Sequence, residues 1–431
     1  MNVSITGGRH GHSVRSLASA GFVVTRPSGA DAIIIGAGVV GCAIAHHLAE
    51  AGMKPLVLER RGIAQAATSR AAGLLTRARL QPCLAVLVRQ TYEDLRTLEA
   101  EGGEDLGVRR TGSLYVGTSE PALRANRELM AQAAAQGEKV LRLSPPEALE
   151  RAGWLHLEGG EELYFMPEDA FIDGYALASA YARSARRKGA RILEDHAVLE
   201  ILVDRQRVGG VRTAKGLLAS PVVVDAAGAW ANLLAWPAGA AIPMAPVRSH
   251  YWITAPDRRF RPDMPFLILP DARAYARPEG EGLLFGFREA QSAHADPREL
   301  PADLRGHEVA GDPGGWASME EGAPAFQRFL PGFAELAVAH YISGYSTYVP
   351  DGMLAVGPLA AAAGLFSAAG CSGGGVATAG GVGRALAQMI TGSRLDFDLK
   401  PFDPARFGAF DPFSAEWGRR CAGARSHKTS G

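Results

Sequence analysis

"DAIIIGAGVVGCAIAHHLAEAGMKPLVLERR", Asp31 to Arg61, decides the fold. Ala32 to Ile35 is a short apolar run rich in β-branched residues, suited to a strand buried on both faces. Gly36, Gly38 and Gly41 follow as G-x-G-x-x-G. The first permits a tight turn, the second lets backbone approach a pyrophosphate, and the third lets a helix pack closely on the strand. Val40, Ile44 and Leu48 recur at helical spacing, and Gly52 suits a C-terminal cap. Leu56 to Leu58 is a second strand, and Glu59 ends it. An acid roughly 20 residues beyond the glycines can accept ribose hydroxyls. Phosphates then lie at the helix N-terminus, held by free N–H groups and the dipole. The agreement of strand, turn, helix and acid predicts a dinucleotide site.

The rest of the chain is ordinary in composition. It has 431 residues, 47% hydrophobic and 21% charged, long enough for two domains. Lys+Arg and Asp+Glu stand at 45 each, which gives no support to a nucleic-acid partner. The four cysteines, Cys42, Cys83, Cys371 and Cys421, match neither a zinc site nor a redox pair, so no metal is expected. A reducing cytoplasmic setting is the simplest expectation. Residues 1–30 read as a flexible extension, with a transit peptide as the alternative, and no stretch reads as a membrane span.

Further along, "QAATSRAAGLLTRA" (Gln65 to Ala78) is small and polar, suited to a loop whose backbone approaches a flat ligand. Residues 82–101 and 121–136 look helical, and "RRTGSLYVGTS" (Arg109 to Ser119) looks like a strand of a different sheet. Ile172, Leu177, Tyr181 and Ala185 suit a packed helix capped by Gly189, with "ARILEDHAV" returning as a strand. "VVVDAAGAWANLL" (Val222 to Leu234) is another strand and turn. "GLFSAAGCSGGGVATAGGVGRALAQMITG" (Gly364 to Gly392) is a strand, a glycine loop and a helix.

In this order the segments resemble the D-amino-acid oxidase superfamily of flavoproteins, nearest its glycine oxidase and sarcosine oxidase branches. "IIIGAGVVG" with "LER", "TSRAAGLL", "TGSLYV", "DAFIDGYALASAYARSARRKGARI", "VVVDAAGAWA", "YARPEGEGLLFGFRE" and "VPDGMLAVGP" with the glycine loop carry the resemblance over residues 31–407. It implies an α/β fold: a Rossmann-like FAD-binding domain, with a discontinuous α+β substrate domain built on a mostly antiparallel sheet. The expected boundaries are 31–108, 167–236 and 340–407 for the FAD domain and 109–166 and 237–339 for the substrate domain, with 408–431 as a tail.

Carried over by position, the resemblance implies that Gly36, Gly38 and Gly41 face the pyrophosphate. Glu59 then takes the ribose, and Arg60 and Val198 lie beside adenine. Thr68 and Ser69 bind phosphate, and Ala72, Gly73 and Leu74 line the isoalloxazine. Gly228 and Trp230 close over the nucleotide. Gly370, Ser372, Gly373, Gly374, Gly375 and Val376 present N–H groups to the flavin N1–C2=O end, where reduced flavin is negative. Close helix–sheet packing is the alternative role of that glycine loop.

Three departures from the family pattern bear on function. Where glycine oxidase-like members carry a carboxylate-gripping arginine, this chain has Ser346, so Arg277 or Arg288 must take a carboxylate, or the substrate is not a simple amino acid. The position of a flavin-linked cysteine falls near Gly344, so FAD is expected to be noncovalent. The oxygen-activating lysine falls near Leu284, which leaves room for an acceptor other than oxygen.

The expected reaction is oxidation of a C–N bond in an amine or N-substituted amino acid by hydride transfer to flavin N5, after which the imine hydrolyses. Tyr251, Tyr275, Arg277, Tyr345 and Tyr348 are the candidate pocket residues, with core packing the other role for each aromatic. Arg288 alternatively reads as a surface salt-bridging residue. The implied partners are a small-molecule amine or amino acid and oxygen or another redox acceptor; a homo- or hetero-oligomer is compatible. Two rivals stand beside this: a 2-hydroxy acid dehydrogenase, which needs a base near N5, and a flavin-binding subunit or assembly factor with little turnover.

Overall fold

The computed structural model describes residues 29–103, 105–302 and 313–428. Residues 1–28 of the expected N-terminal extension lie outside the described residues. Two large sheets dominate. The six-stranded sheet runs Ala355–Pro358, Leu365–Ala369, Val223–Asp225, Ala32–Ile35, Pro55–Leu58, Arg191–Leu193. Its strands are parallel except for Ala355–Pro358, which runs antiparallel at one edge. All four residues of Ala32–Ile35 are buried, as a central parallel strand covered on both faces requires. The Val39–Glu50 helix packs against the Gly174–Arg187 and Gly375–Thr391 helices on one face of this sheet.

The eight-stranded sheet runs Val338–Tyr348, Ala245–Thr254, Gly282–Phe287, Ala274–Glu279, Phe266–Leu269, Ser113–Gly117, Glu162–Met166, Leu141–Leu143. One pair, Phe266–Leu269 with Ser113–Gly117, is parallel and the others are antiparallel. Behind it lies an aromatic core in which Trp252, Phe285, Phe287, Phe326 and Phe333 contact one another. The fold class is thus the one the sequence implies: a Rossmann-like sheet joined to a mostly antiparallel one.

Details differ from the expectation. The strand Val338–Tyr348 pairs along its length with Ala245–Thr254, so residues 340–348 belong to the antiparallel sheet rather than the parallel one. "ARILEDHAV" is not one strand: Arg191–Leu193 ends, and Val198–Asp204 opens a separate three-stranded meander. Asp195, at φ 53°, breaks the run. The stretch 408–431 contains a helix, Ala415–Ser426, packed on Ala245–Thr254. Trp417, Cys421 and Arg425, spaced by four, supply its buried face.

The junction of strand and first helix is the tightest point of the nucleotide unit. Gly36 has φ 101°, and a Cβ at Gly41 would stand 2.0 Å from the Gly36 carbonyl oxygen. Neither backbone group can retreat, because each belongs to an adjoining element. Gly41→Ala should therefore lower stability by about 1–3 kcal/mol, the scale for overpacking. Chemical denaturation of the apoprotein checks this, and an unchanged midpoint contradicts it.

Candidate active site

Several segments converge at the C-terminal ends of the parallel strands, where open α/β sheets bind ligands. The Val39–Glu50 helix has no acid in its first turn, and its N-cap, Gly38, offers no side chain. The Val39 amide instead donates to Thr68 Oγ1 at 3.1 Å. Ser69 turns its hydroxyl to the Ala66 carbonyl at 3.3 Å. The Glu59 carboxylate accepts from the Ala37 amide at 2.8 Å and from the Arg61 amide at 2.9 Å, one bond per oxygen. Each oxygen keeps lone-pair capacity for a ribose hydroxyl. The His196 amide donates to the Glu59 carbonyl at 2.8 Å, which brings the half-buried Val198 strand end to this edge. The Arg60 guanidinium lies 3.6 Å over the Trp230 ring, in the turn Gly228–Trp230. Arg60 and Trp230 thus stack on each other, and the strand that Val198 opens begins two residues after His196.

Asp225 ends the neighbouring strand, fully buried. Its Oδ1 accepts from the Ala227 amide at 3.0 Å, and its Oδ2 has no hydrogen-bond partner among the described residues. Burial pushes this carboxyl up to about 7. The Trp230 Nε1 is likewise buried and unpartnered.

A second group of residues encloses a cavity. Ala72, Gly73 and Leu74 form part of one wall, with Gly373, Gly374 and Val376 beside them. Gly73 is obligatory: its φ is 72°, and a Cβ would fall 1.8 Å from the Ile172 carbonyl oxygen. The loop Gly370–Gly374 leads into the Gly375–Thr391 helix, and Ser372 Oγ ties it to the Met353 carbonyl at 2.6 Å. The antiparallel sheet brings Tyr251, Tyr275 and Tyr348 to the same cavity. Tyr275 fits because its partner across the hairpin is Gly286, where any Cβ would strike the phenol. Burial raises all three phenols above their ordinary range, so they stay neutral.

Two arginine expectations are corrected. Arg277 does not line the cavity. Its Nε donates to the Ala72 carbonyl at 2.8 Å, its Nη1 is held by Pro278 O and Glu279, and its plane covers the Phe171 ring at 4.7 Å. It props the 72–74 segment from outside. Arg288 is no surface residue: it is 8% exposed and lines the cavity with Ser346. Tyr345 faces a different cavity, beside His294 and Phe413. Leu284 is buried and Gly344 packs on Arg70, so neither a lysine nor a cysteine stands at those positions. Arg79, Arg425 and Lys428 also line the cavity and were not singled out from sequence. The four-residue spacing from Trp417 was the available signal for Arg425.

The sequence profile of one family, DAO: FAD dependent oxidoreductase, matches residues 31–389. The chain belongs to that family. Human sarcosine dehydrogenase (Homo sapiens), a mitochondrial protein, is 27% identical over 88% of this chain and 42% of its own length. The mitochondrial pyruvate dehydrogenase phosphatase regulatory subunit of Mus musculus is 26% identical over 90% of this chain and 44% of its own. The chain therefore spans less than half the length of these curated relatives. The crystal structure of L-proline dehydrogenase from P. horikoshii superposes with a TM-score of 0.78 at 25% identity, covering 89% of this chain and 98% of that one. The cytoplasmic expectation is corrected by these relatives, which are mitochondrial. Among the described residues no helix is long and apolar enough to cross a membrane.

FAD, held noncovalently, is the cofactor of this family. The residues present fit it. The uncapped helix at Gly38 suits the pyrophosphate, the free lone pairs of Glu59 suit the ribose, and the glycine-walled cleft admits a flat ring. Glu59→Ala should weaken FAD binding by about 1–3 kcal/mol, the scale for charged hydrogen bonds left unmade. Titration of the apoprotein measures it; unchanged affinity removes Glu59 from the site. Asp225 predicts a pH effect. The native carboxyl holds its proton up to about 7 against an ordinary 3.8. The folded state thus binds more protons in that window, and this group's stabilising contribution falls as pH rises through it and is level above. Asp225→Asn apoprotein should gain on wild type in urea midpoint between pH 4 and 7. A pH-independent difference contradicts the burial argument.

Proposed function

We propose that this chain oxidises a C–N bond of an amine or N-substituted amino acid, placing a substrate C–H against the flavin. The observation that carries this is the cavity itself, with the backbone of Ala72 to Leu74 and of Gly373 and Gly374 on one side and Tyr251, Tyr275, Tyr348 and Arg288 on the other. Bound FAD supplies a hydride acceptor at N5. The amine must be neutral to release hydride with its nitrogen lone pair forming the imine, and water then cleaves the imine to a carbonyl compound and an amine. The chain's part is to bind and orient. Arg288 takes the substrate carboxylate in place of the arginine absent at Ser346, and the three neutral phenols shape an apolar, hydrogen-bonding wall. Leu284, where a lysine would promote reaction with oxygen, supports an acceptor other than oxygen at least as effective as oxygen.

A 2-hydroxy acid would need a base. His250 is the histidine of the cavity wall, and its Nε2 is engaged by Ser318 Oγ at 2.9 Å and Glu289 Oε1 at 3.3 Å. The match to a phosphatase regulatory subunit supports the second reading, a flavin-binding subunit with little turnover. Anaerobic flavin bleaching across amines, amino acids and 2-hydroxy acids separates the three. The proposal expects bleaching by a secondary amine or N-substituted amino acid. Bleaching by hydroxy acids alone, or by neither class, overturns it. Arg288→Leu should weaken binding of the bleaching substrate by about 1.5–3 kcal/mol, as for a lost charge-assisted bond. Retained FAD and an unchanged circular dichroism spectrum establish that the variant is folded.

A further inference from the structure

The cavity wall carries five cationic side chains, Arg70, Arg79, Arg288, Arg425 and Lys428, and no carboxylate among the described residues. Glu289, behind the wall, pairs with Arg425, which also donates to Ser292 Oγ at 2.9 Å and Phe287 O at 3.2 Å. Arg79 is 8% exposed, and its guanidinium donates to Thr76 Oγ1 and to the Ala78 carbonyl, with no ion pair among the described residues. Asp169, the nearest acid behind it, is buried and bound to Ser113 Oγ at 2.6 Å and the Arg77 amide at 2.8 Å. Lys428 enters from the far end of the chain. Its Nζ donates to the Ser372 carbonyl at 3.2 Å, its own carbonyl accepts from Arg288 at 3.1 Å, and no carboxylate among the described residues reaches it. Burial and then the charges of Arg288, Arg79 and Arg425 push its ammonium well below the ordinary range.

The charge of Arg79 and Lys428, which no carboxylate among the described residues meets, is unfavourable in a cavity until an anion enters. One carboxylate matches one guanidinium fork. It leaves Arg79 and Lys428 still facing each other's charge. We propose that Lys428 and Arg79 form a second anion subsite, so that the substrate is an amine bearing two carboxylate arms, one at Arg288 and one at Lys428. This rests on the cavity being the amine site proposed above. The C-terminal segment is then part of the substrate pocket and selects by charge.

The test uses the FAD-loaded full chain and two unreactive thioethers, thiodiacetate with two carboxylates and (methylthio)acetate with one, titrated by flavin absorbance. Thiodiacetate should bind at least about tenfold more tightly at low salt. Lys428→Met should remove most of that preference while changing the monoanion's affinity less than about twofold, and Lys428→Arg should restore it. Equal affinities in the wild type, or equal weakening of both probes in Lys428→Met, overturns the subsite; so does failure of both probes to bind. Anaerobic bleaching separates the two claims. If amines with one carboxylate bleach the flavin as well as those with two, the subsite fails and amine oxidation stands. If no amine bleaches it, amine oxidation itself fails.

Discussion

The contact on which the nucleotide unit depends is that of Gly41 with the Gly36 carbonyl. With no Cβ at position 41, the Val39–Glu50 helix can start against the strand end. Its N-cap, Gly38, offers no capping side chain, and the first helical amide, that of Val39, turns to Thr68. The neighbouring pieces take their positions from that start. Thr68 reaches the Val39 amide, Glu59 reaches the Ala37 amide, and both stand where an anion or a ribose would lie. Moving the helix outward by the width of a methyl group would break all of these at once. The dipole would also withdraw from the phosphate position, where its effect falls off within a turn.

A similar close approach fixes the 72–74 segment of the cavity wall. Gly73 lies against Ile172, and Arg277 holds the preceding carbonyl from outside. This part of the cavity wall is thus held by backbone on one side and by a buried guanidinium on the other. This explains why an arginine in so suggestive a strand is not on the cavity. Tyr275 and Arg277 share a face of their strand, yet the cavity ends between them. Arg277 continues past it to the back of the 72–74 segment.

The cavity is built from distant parts of the chain. Arg79 comes from just after the 72–74 segment, Arg288 from the end of a sheet hairpin, and Arg425 and Lys428 from the last helix and the residues after it. Buried cations are stable only where hydrogen bonds or anions meet them. Glu289 meets Arg425; carbonyls meet Arg288 and Lys428. The remaining positive field is a property of the assembled site, in a protein whose acids and bases balance overall.

What the sequence by itself determined is the part whose interactions are local. Strand, glycine turn, helix and Glu59 lie within one contiguous stretch, so residue type and spacing suffice to define the nucleotide unit. The Gly364 to Gly392 loop and helix are legible for the same reason. Only the tertiary structure decided which side chains meet in the cavity. Whether Arg277 or Arg288 faces inward depends on where the cavity ends along a strand, which alternation cannot reveal. The pairing of Val338–Tyr348 with Ala245–Thr254 and the docking of the last helix join residues far apart in sequence. Arg425 and Glu289 are 136 positions apart, and no local pattern encodes that contact. The helix Ala415–Ser426 reads as a charged tail until its four-residue spacing is set against the apolar surface that buries it.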